Sequence, residues 1–199
     1  MPSFGSLFGV VLDSCILYGY PVRDTLLLAA QEGLYRPIWS HKIWDDVLRH
    51  LQNPHERKRP MTPAQAAHLL EELERYFPEA FVSGYEDLIP SMTNDPGDRH
   101  VLATAVHSGA RIIVTFNLND FLPTALAPYG ITAKHPDDFL TDLYDLDADV
   151  MARVIMDQAA ALTRNRMTPG QLLDKLEWTH IPRFAHAVRV HLDADKSVI

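Results

Sequence analysis

The sequence predicts an α/β fold built on a parallel sheet, followed by a small C-terminal helical extension, and three observations carry that expectation. Two short β-branched apolar runs, at 8–12 and 111–115, read as strands buried on both faces. Segments of helical periodicity stand between and around them, the alternation of a βα chain. From Asp145 onward the pattern is purely helical. The expected division is a sheet domain over 1–143 and a helical extension over 144–199.

Taken in order, the run 8–12 ends at Asp13, which delivers a carboxylate to the carboxyl edge of the sheet. Pro21 interrupts before an amphipathic helix marked by Leu26, Leu27 and Ala30 and stopped at Gly33. A second short strand is expected at 35–39, against the grain of Pro37. Ser40 then caps a helix whose buried face carries Ile43, Trp44, Val47, Leu48 and Leu51. Thr62 and Pro63 open a further helix, with Ala66, Leu69, Leu70 and Leu73 inward. Phe81 and Val82 form an edge strand. Asp95 is placed to cap a helix starting at Pro96, since proline needs no donor there, and Gly109 supplies the left-handed stop. The strand 111–115 follows, then a polar loop with Asn117, Asn119 and Asp120. A last short strand is expected at 130–133 and a helix start at 135–140.

Composition narrows the function classes. The net charge of −8 over 199 residues argues against binding nucleic acid through a broad basic surface, so such a contact would be local or mediated by metal ions. The single cysteine, Cys15, excludes a disulfide framework and a multi-cysteine zinc site, and fits a reducing cytoplasm. No basic segment precedes an apolar run, and no apolar stretch approaches the roughly 20 residues needed to span a bilayer. A cytoplasmic protein with no membrane association is expected.

Four carboxylates on separate elements, Asp13, Asp46, Asp98 and Asp120, converge if the loops of a parallel sheet open on one edge, where such sheets bind ligands. Like charges brought together need something positive among them. Hard oxygen donors of this kind suit Mg²⁺ or Mn²⁺, and such sites cleave phosphodiesters by activating a water. Asp98 also has a purely local reading, as a carboxylate favouring a helix N-terminus.

With those residues in view, the chain resembles the PIN-domain family over about residues 8–140 and is similar to the toxin ribonucleases of VapBC-type toxin–antitoxin modules. V-V-L-D-S-C-I-L resembles the first strand and its aspartate, at Asp13. W-S-H-K-I-W-D-D-V-L-R-H-L resembles the helix that usually carries a glutamate, here Asp46. D-P-G-D-R-H-V-L-A-T-A-V resembles the third acidic motif, at Asp98. I-I-V-T-F-N-L-N-D-F resembles the fourth, with Asn117 at the motif position and Asp120 just behind. The resemblance implies a three-layer α/β/α sandwich with a central parallel sheet, Mg²⁺- or Mn²⁺-dependent RNA cleavage, a homodimer, and a cognate antitoxin. Asp13, Asp98 and Asp120 would be the metal ligands, with Asp46 and Asn117 completing the catalytic set and Thr115 orienting the sheet edge. Two departures stand out: aspartate at 46 is one methylene shorter than glutamate, and Asn117 is uncharged where many members carry aspartate.

The basic loop at 54–60 holds Arg57, Lys58 and Arg59, the densest cationic run, and is the candidate RNA-binding segment; Arg164, Arg166 and Arg183 stand in reserve. Cys15 reads as a small buried residue, because a neighbouring carboxylate raises a thiol pKa. Trp39, Trp44 and Trp178 read as core or interface anchors. The rival reading is a PIN-like module that binds RNA or a protein without cutting, for which the acidic surface and Asn117 speak.

Overall fold

The computed structural model describes residues 7–162 and 166–196, so Arg164 lies outside the described residues. In chain order the strands are β1 (Gly9–Leu12), β2 (Arg36–Ser40), β3 (Phe81–Val82), β4 (Ile112–Val114) and β5 (Thr132–Lys134). The helices are α1 (Ser14–Leu17), α2 (Val22–Gln31), α3 (His41–Gln52), α4 (Pro63–Tyr76), α5 (Arg99–Ser108), α6 (Pro123–Leu126), α7 (Pro136–Leu146), α8 (Ala148–Ala161), α9 (Pro169–Trp178) and α10 (Pro182–Lys196). The fold is of the expected three-layer α/β/α class with a helical C-terminal part.

Contacts divide the chain into two compact units: the residues up to Tyr18 with Tyr35–Lys134, and Gly19–Leu34 with the chain from His135 onward. This differs from a division at 143/144. Helix α7 packs on α8 and α10, and α2 packs on α8, so both belong with the helical unit. The α2 contact is polar as well as apolar: buried Gln158 accepts from Thr25 Oγ1 at 2.7 Å and donates to the Pro21 carbonyl at 3.1 Å.

In the first unit the sheet runs β3-β2-β1-β4-β5, parallel throughout. Val11 pairs with Ile38 on one side and Ile113 on the other, which buries the β-branched runs on both faces. Pro37 is tolerated in an interior strand for a local reason. Ladder donors alternate sides, and Trp39 N, on the same side as the Pro37 nitrogen, bonds Ala80 O just before β3 begins; Pro37 lies ahead of that pairing and forfeits no ladder bond. Ser40 Oγ accepts from Ile43 N at 3.3 Å, as a helix cap should. Helix α5 begins later than expected. Asp95 Oδ1 accepts from Gly97 N at 2.8 Å, closing a turn through Pro96, and Asp98 takes the N-cap position of a helix that starts at Arg99. Gly109 ends it at φ 69, a left-handed geometry that glycine adopts without cost.

In the second unit Leu140, Leu143, Ile155, Leu172, Leu173, Leu176, Phe184 and Val188 form the core. Buried Asp137 accepts from Phe184 N at 3.0 Å and Arg183 N at 3.2 Å, so a carboxylate from α7 caps the start of α10. Trp178 does not anchor this core: it is 86% exposed. No helix among the described residues is long and apolar enough to cross a membrane.

Candidate active site

The strand order reverses direction between β1 and β4, and the crevice beyond their carboxyl ends is where open α/β sheets take ligands. Asp13 leaves β1 at that point, with its backbone N bonded to Val114 O on β4. Its side chain is 2% exposed and held from four directions. Oδ1 accepts from Ser14 N at 2.6 Å and weakly from Ser14 Oγ at 3.4 Å; Oδ2 accepts from Thr115 Oγ1 at 2.7 Å and Cys15 Sγ at 3.2 Å. The same groups bind the loop after β4, since Thr115 Oγ1 accepts from Asn117 N at 2.9 Å and Cys15 Sγ from Phe116 N at 3.3 Å. Two adjacent strand ends are thus tied into one unit. Burial, with the charge of Asp13, pushes the Cys15 thiol up to about 12, so it is no nucleophile at neutral pH.

Asp98 sits at the N-cap of α5, yet its side chain makes no capping hydrogen bond. Its charge still stands at the helix N-terminus, but no hydrogen bond ties the carboxylate there. Burial pushes its carboxyl up to about 7, and the negative charges of Asp13, Asp120, Asp95 and Asp46 push in the same direction. Asp13, Asp46 and Asp120 therefore all lie near enough to act on Asp98. Asp120 is half-buried in a short 3₁₀ turn, and its carbonyl accepts from Asp95 N at 3.2 Å, locking the two acidic turns together. Asn117 is exposed, and only its backbone is tied into the network.

Asp46 stands apart in its partners. Its Oδ1 accepts from Lys42 Nζ at 2.7 Å and from Arg49, while Oδ2 lies 3.3 Å from His100 Nε2. Neighbouring Asp45 is exposed, as a turn of about 100° along a helix requires. Lys58 and Arg59 are exposed and Arg57 half-buried on the turn that follows α3. That turn is rooted near the site: Glu56 pairs with His50, whose ring stacks on Tyr18 at 3.8 Å between centroids. Burial raises the Tyr18 hydroxyl pKa, with Cys15, Asp13 and Glu56 adding to it.

Two residues were not marked by the sequence. His100 is buried beside Asp46; burial pulls its pKa down, opposed by the Asp46 charge. Asn94 is buried with neither side-chain atom hydrogen-bonded. His100 could have been suspected only from its place two residues after Asp98, and nothing in the sequence pairs it with α3.

No three His, Cys, Asp or Glu side chains among the described residues are already drawn together as a metal cage. The donor chemistry nonetheless fits Mg²⁺ or Mn²⁺, which bind through one or two carboxylates and keep several waters. Asp98, uncapped and surrounded by like charge, is the group such an ion would relieve.

The parallel sheet, with carboxylates gathered near Asp98 at its switch point, is the arrangement to be compared with known families. The family profile described as PIN domain matches residues 9–119, more than half of the chain, and the chain belongs to the PIN-domain family. A second profile, described as VapC50 C-terminal domain, matches residues 136–190, within the helical unit. The chain is similar to the protein named "Putative ribonuclease VapC50" of Mycobacterium tuberculosis (strain ATCC 25618 / H37Rv), 47% identical over 110 residues. That match covers 55% of this chain and 64% of the relative. No solved structure matches the chain.

Proposed function

We propose that the chain is a divalent-metal-dependent endoribonuclease that hydrolyses RNA phosphodiester bonds, the toxin half of a toxin–antitoxin pair. The observation that carries this is Asp98, a carboxyl raised to about 7 among the charges of Asp13, Asp120, Asp95 and Asp46. A PIN-domain chain similar to a protein named as a ribonuclease supports it.

Mg²⁺ or Mn²⁺ bound at this edge supplies an activated water and balances charge on the attacking and leaving oxygens. Asp13, Asp98 and Asp120 would hold it. Ser14 N fixes Asp13 through Oδ1 and Thr115 and Cys15 fix it through Oδ2, so the ligand is oriented before the ion arrives. Asp46, carried on α3 and charge-balanced by Lys42 and Arg49, borders the site. Arg57, Lys58 and Arg59 offset the repulsion between an acidic protein and RNA phosphates. The resemblance to VapBC modules supplies the remaining partners, an antitoxin and a second copy of the chain, in the cytoplasm.

Incubating the protein with single-stranded RNA, with and without a chelator, tests the reading through its products. Water as nucleophile gives cleavage only with the divalent ion and leaves no 2′,3′-cyclic phosphate. Cation-independent cutting, or accumulation of the cyclic phosphate, would refute it.

A further inference from the structure

Resting on the ribonuclease reading above, we propose that the groove between α6 and the edge strand β5 is an RNA subsite, which takes the base of a nucleotide flanking the scissile phosphate and brings a neighbouring phosphate to Arg111. The groove holds about 530 Å³, within the range of about 300–1,000 Å³ typical of ligand sites. Its near end is the turn that carries Asp120: Leu118, two residues before that carboxylate, and Phe121, directly after it, both line the groove. The path from the cutting edge into the groove is therefore continuous. Leu126 and Ile131 extend the apolar wall, and Leu118 is left 41% exposed.

At the far end stands Gly130, with the Arg111 guanidinium against it: a Cβ at Gly130 would come within 2.8 Å of Arg111 Nη1. Arg111 is exposed and donates to the Tyr129 carbonyl at 3.2 Å, with no carboxylate paired to it among the described residues. An uncompensated cation at the end of an apolar groove, on a chain of net charge −8, suits a phosphate. Between the two ends the edge strand offers one hydrogen-bonding pair. Thr132 N donates to Arg111 O and Lys134 O accepts from Thr115 N, which turns both residues toward β4 and leaves the N–H and C=O of Ala133 on the open side of the sheet. A base has two apolar faces for the wall and a donor–acceptor edge for Ala133, so the groove can tell one base from another. An extended peptide is the poorer fit. Strand addition lives on repeated main-chain bonds, and the three residues of β5 present a single outward one.

Mixed-sequence single-stranded RNA carrying 4-thiouridine, bound to the full chain with Mg²⁺ and irradiated, tests this, because the thiobase crosslinks to the side chains it touches. The same sample on a denaturing gel reports cleavage. Crosslinks at Leu118, Phe121 or 131–133 are expected. Leu118→Glu, at an exposed position, should lose them and weaken RNA affinity about fivefold or more. Arg111→Gln, which keeps a donor for the Tyr129 carbonyl, should lower the log–log salt slope of binding by about 0.7, a change that a purely structural role would not produce. Crosslinks confined to other segments overturn the proposal. So does an unchanged salt slope in Arg111→Gln, and so does Leu118→Glu binding RNA like the unmodified chain, the result given by a groove that seats a protein segment or a second copy of the chain instead. Groove crosslinks without cleavage uphold the subsite and remove the nuclease reading; cleavage without groove crosslinks does the reverse.

Discussion

Replacing Asp98 by asparagine is expected to stabilise the metal-free protein above neutral pH and to leave it unchanged under acid conditions. Asparagine mimics the protonated carboxyl in shape and charge, so the variant isolates the cost of ionising Asp98 in the fold. That carboxyl titrates at about 7 in the folded chain against an ordinary 3.8. The folded state therefore keeps its proton over a range where the unfolded state has lost it, and stability falls as pH rises from about 4 to about 7, then levels. At about 1.4 kcal/mol per pH unit the interval corresponds to roughly 4 kcal/mol, an upper bound. Asp98 is only half-buried, and solvent screening reduces this to about 1–2 kcal/mol. Chelator-treated protein unfolded by heat or urea under circular dichroism should show Asp98→Asn ahead by that amount at pH 8, with the gap closing toward pH 4. A variant no more stable at pH 8, or a gap independent of pH, would refute the reasoning.

Three further outcomes follow from the geometry. Asp46→Ala should lower RNA cleavage at least about tenfold while Asp45→Ala, on the exposed side of α3, is silent; steady-state rates decide, and the reverse order would exchange their roles. Alanine at Arg57, Lys58 and Arg59 together should raise KM with kcat unchanged and flatten the salt dependence by about 0.7 in log–log slope for each RNA phosphate that is no longer neutralised; an unchanged KM at low salt would return the loop to a solvated connection. Asp137→Ala should cost about 1–2 kcal/mol in urea unfolding, because Arg183 N and Phe184 N at the start of α10 are left without their acceptor.

The sheet is legible because its strands announce themselves. Val10, Val11, Ile112, Ile113 and Val114 are short β-branched runs that only burial on both faces explains, and Asp13 ends the first of them at the crevice. Ser40 and Thr62 cap the helices that local rules assign to them. The start of α5 is not legible, because Asp95-Pro96 satisfies the local rules for a cap, whereas the tertiary bond from Asp95 N to Asp120 O holds that stretch as a turn. The assignment of α2 to the helical unit rests on the pairing of Thr25 with Gln158, two polar residues far apart in the chain whose match no periodicity reveals. His100 is hidden for the same reason: its importance lies in facing Asp46 across two helices. The acidic set itself is readable, but that Asp98 is uncapped while Asp46 is held by Lys42 and Arg49 is known only from the fold.

Cleavage of single-stranded RNA titrated with Mn²⁺ tests most directly whether the carboxylates around Asp98 form a metal-dependent cutting site. The unmodified chain is predicted to cut with a rate that saturates in Mn²⁺, while folded Asp13→Asn and Asp98→Asn are each at least about a hundredfold slower at the same metal concentration, a loss of roughly 2.7 kcal/mol in transition-state stabilisation. Either variant cutting at the unmodified rate, or a rate that does not depend on Mn²⁺, would contradict the account.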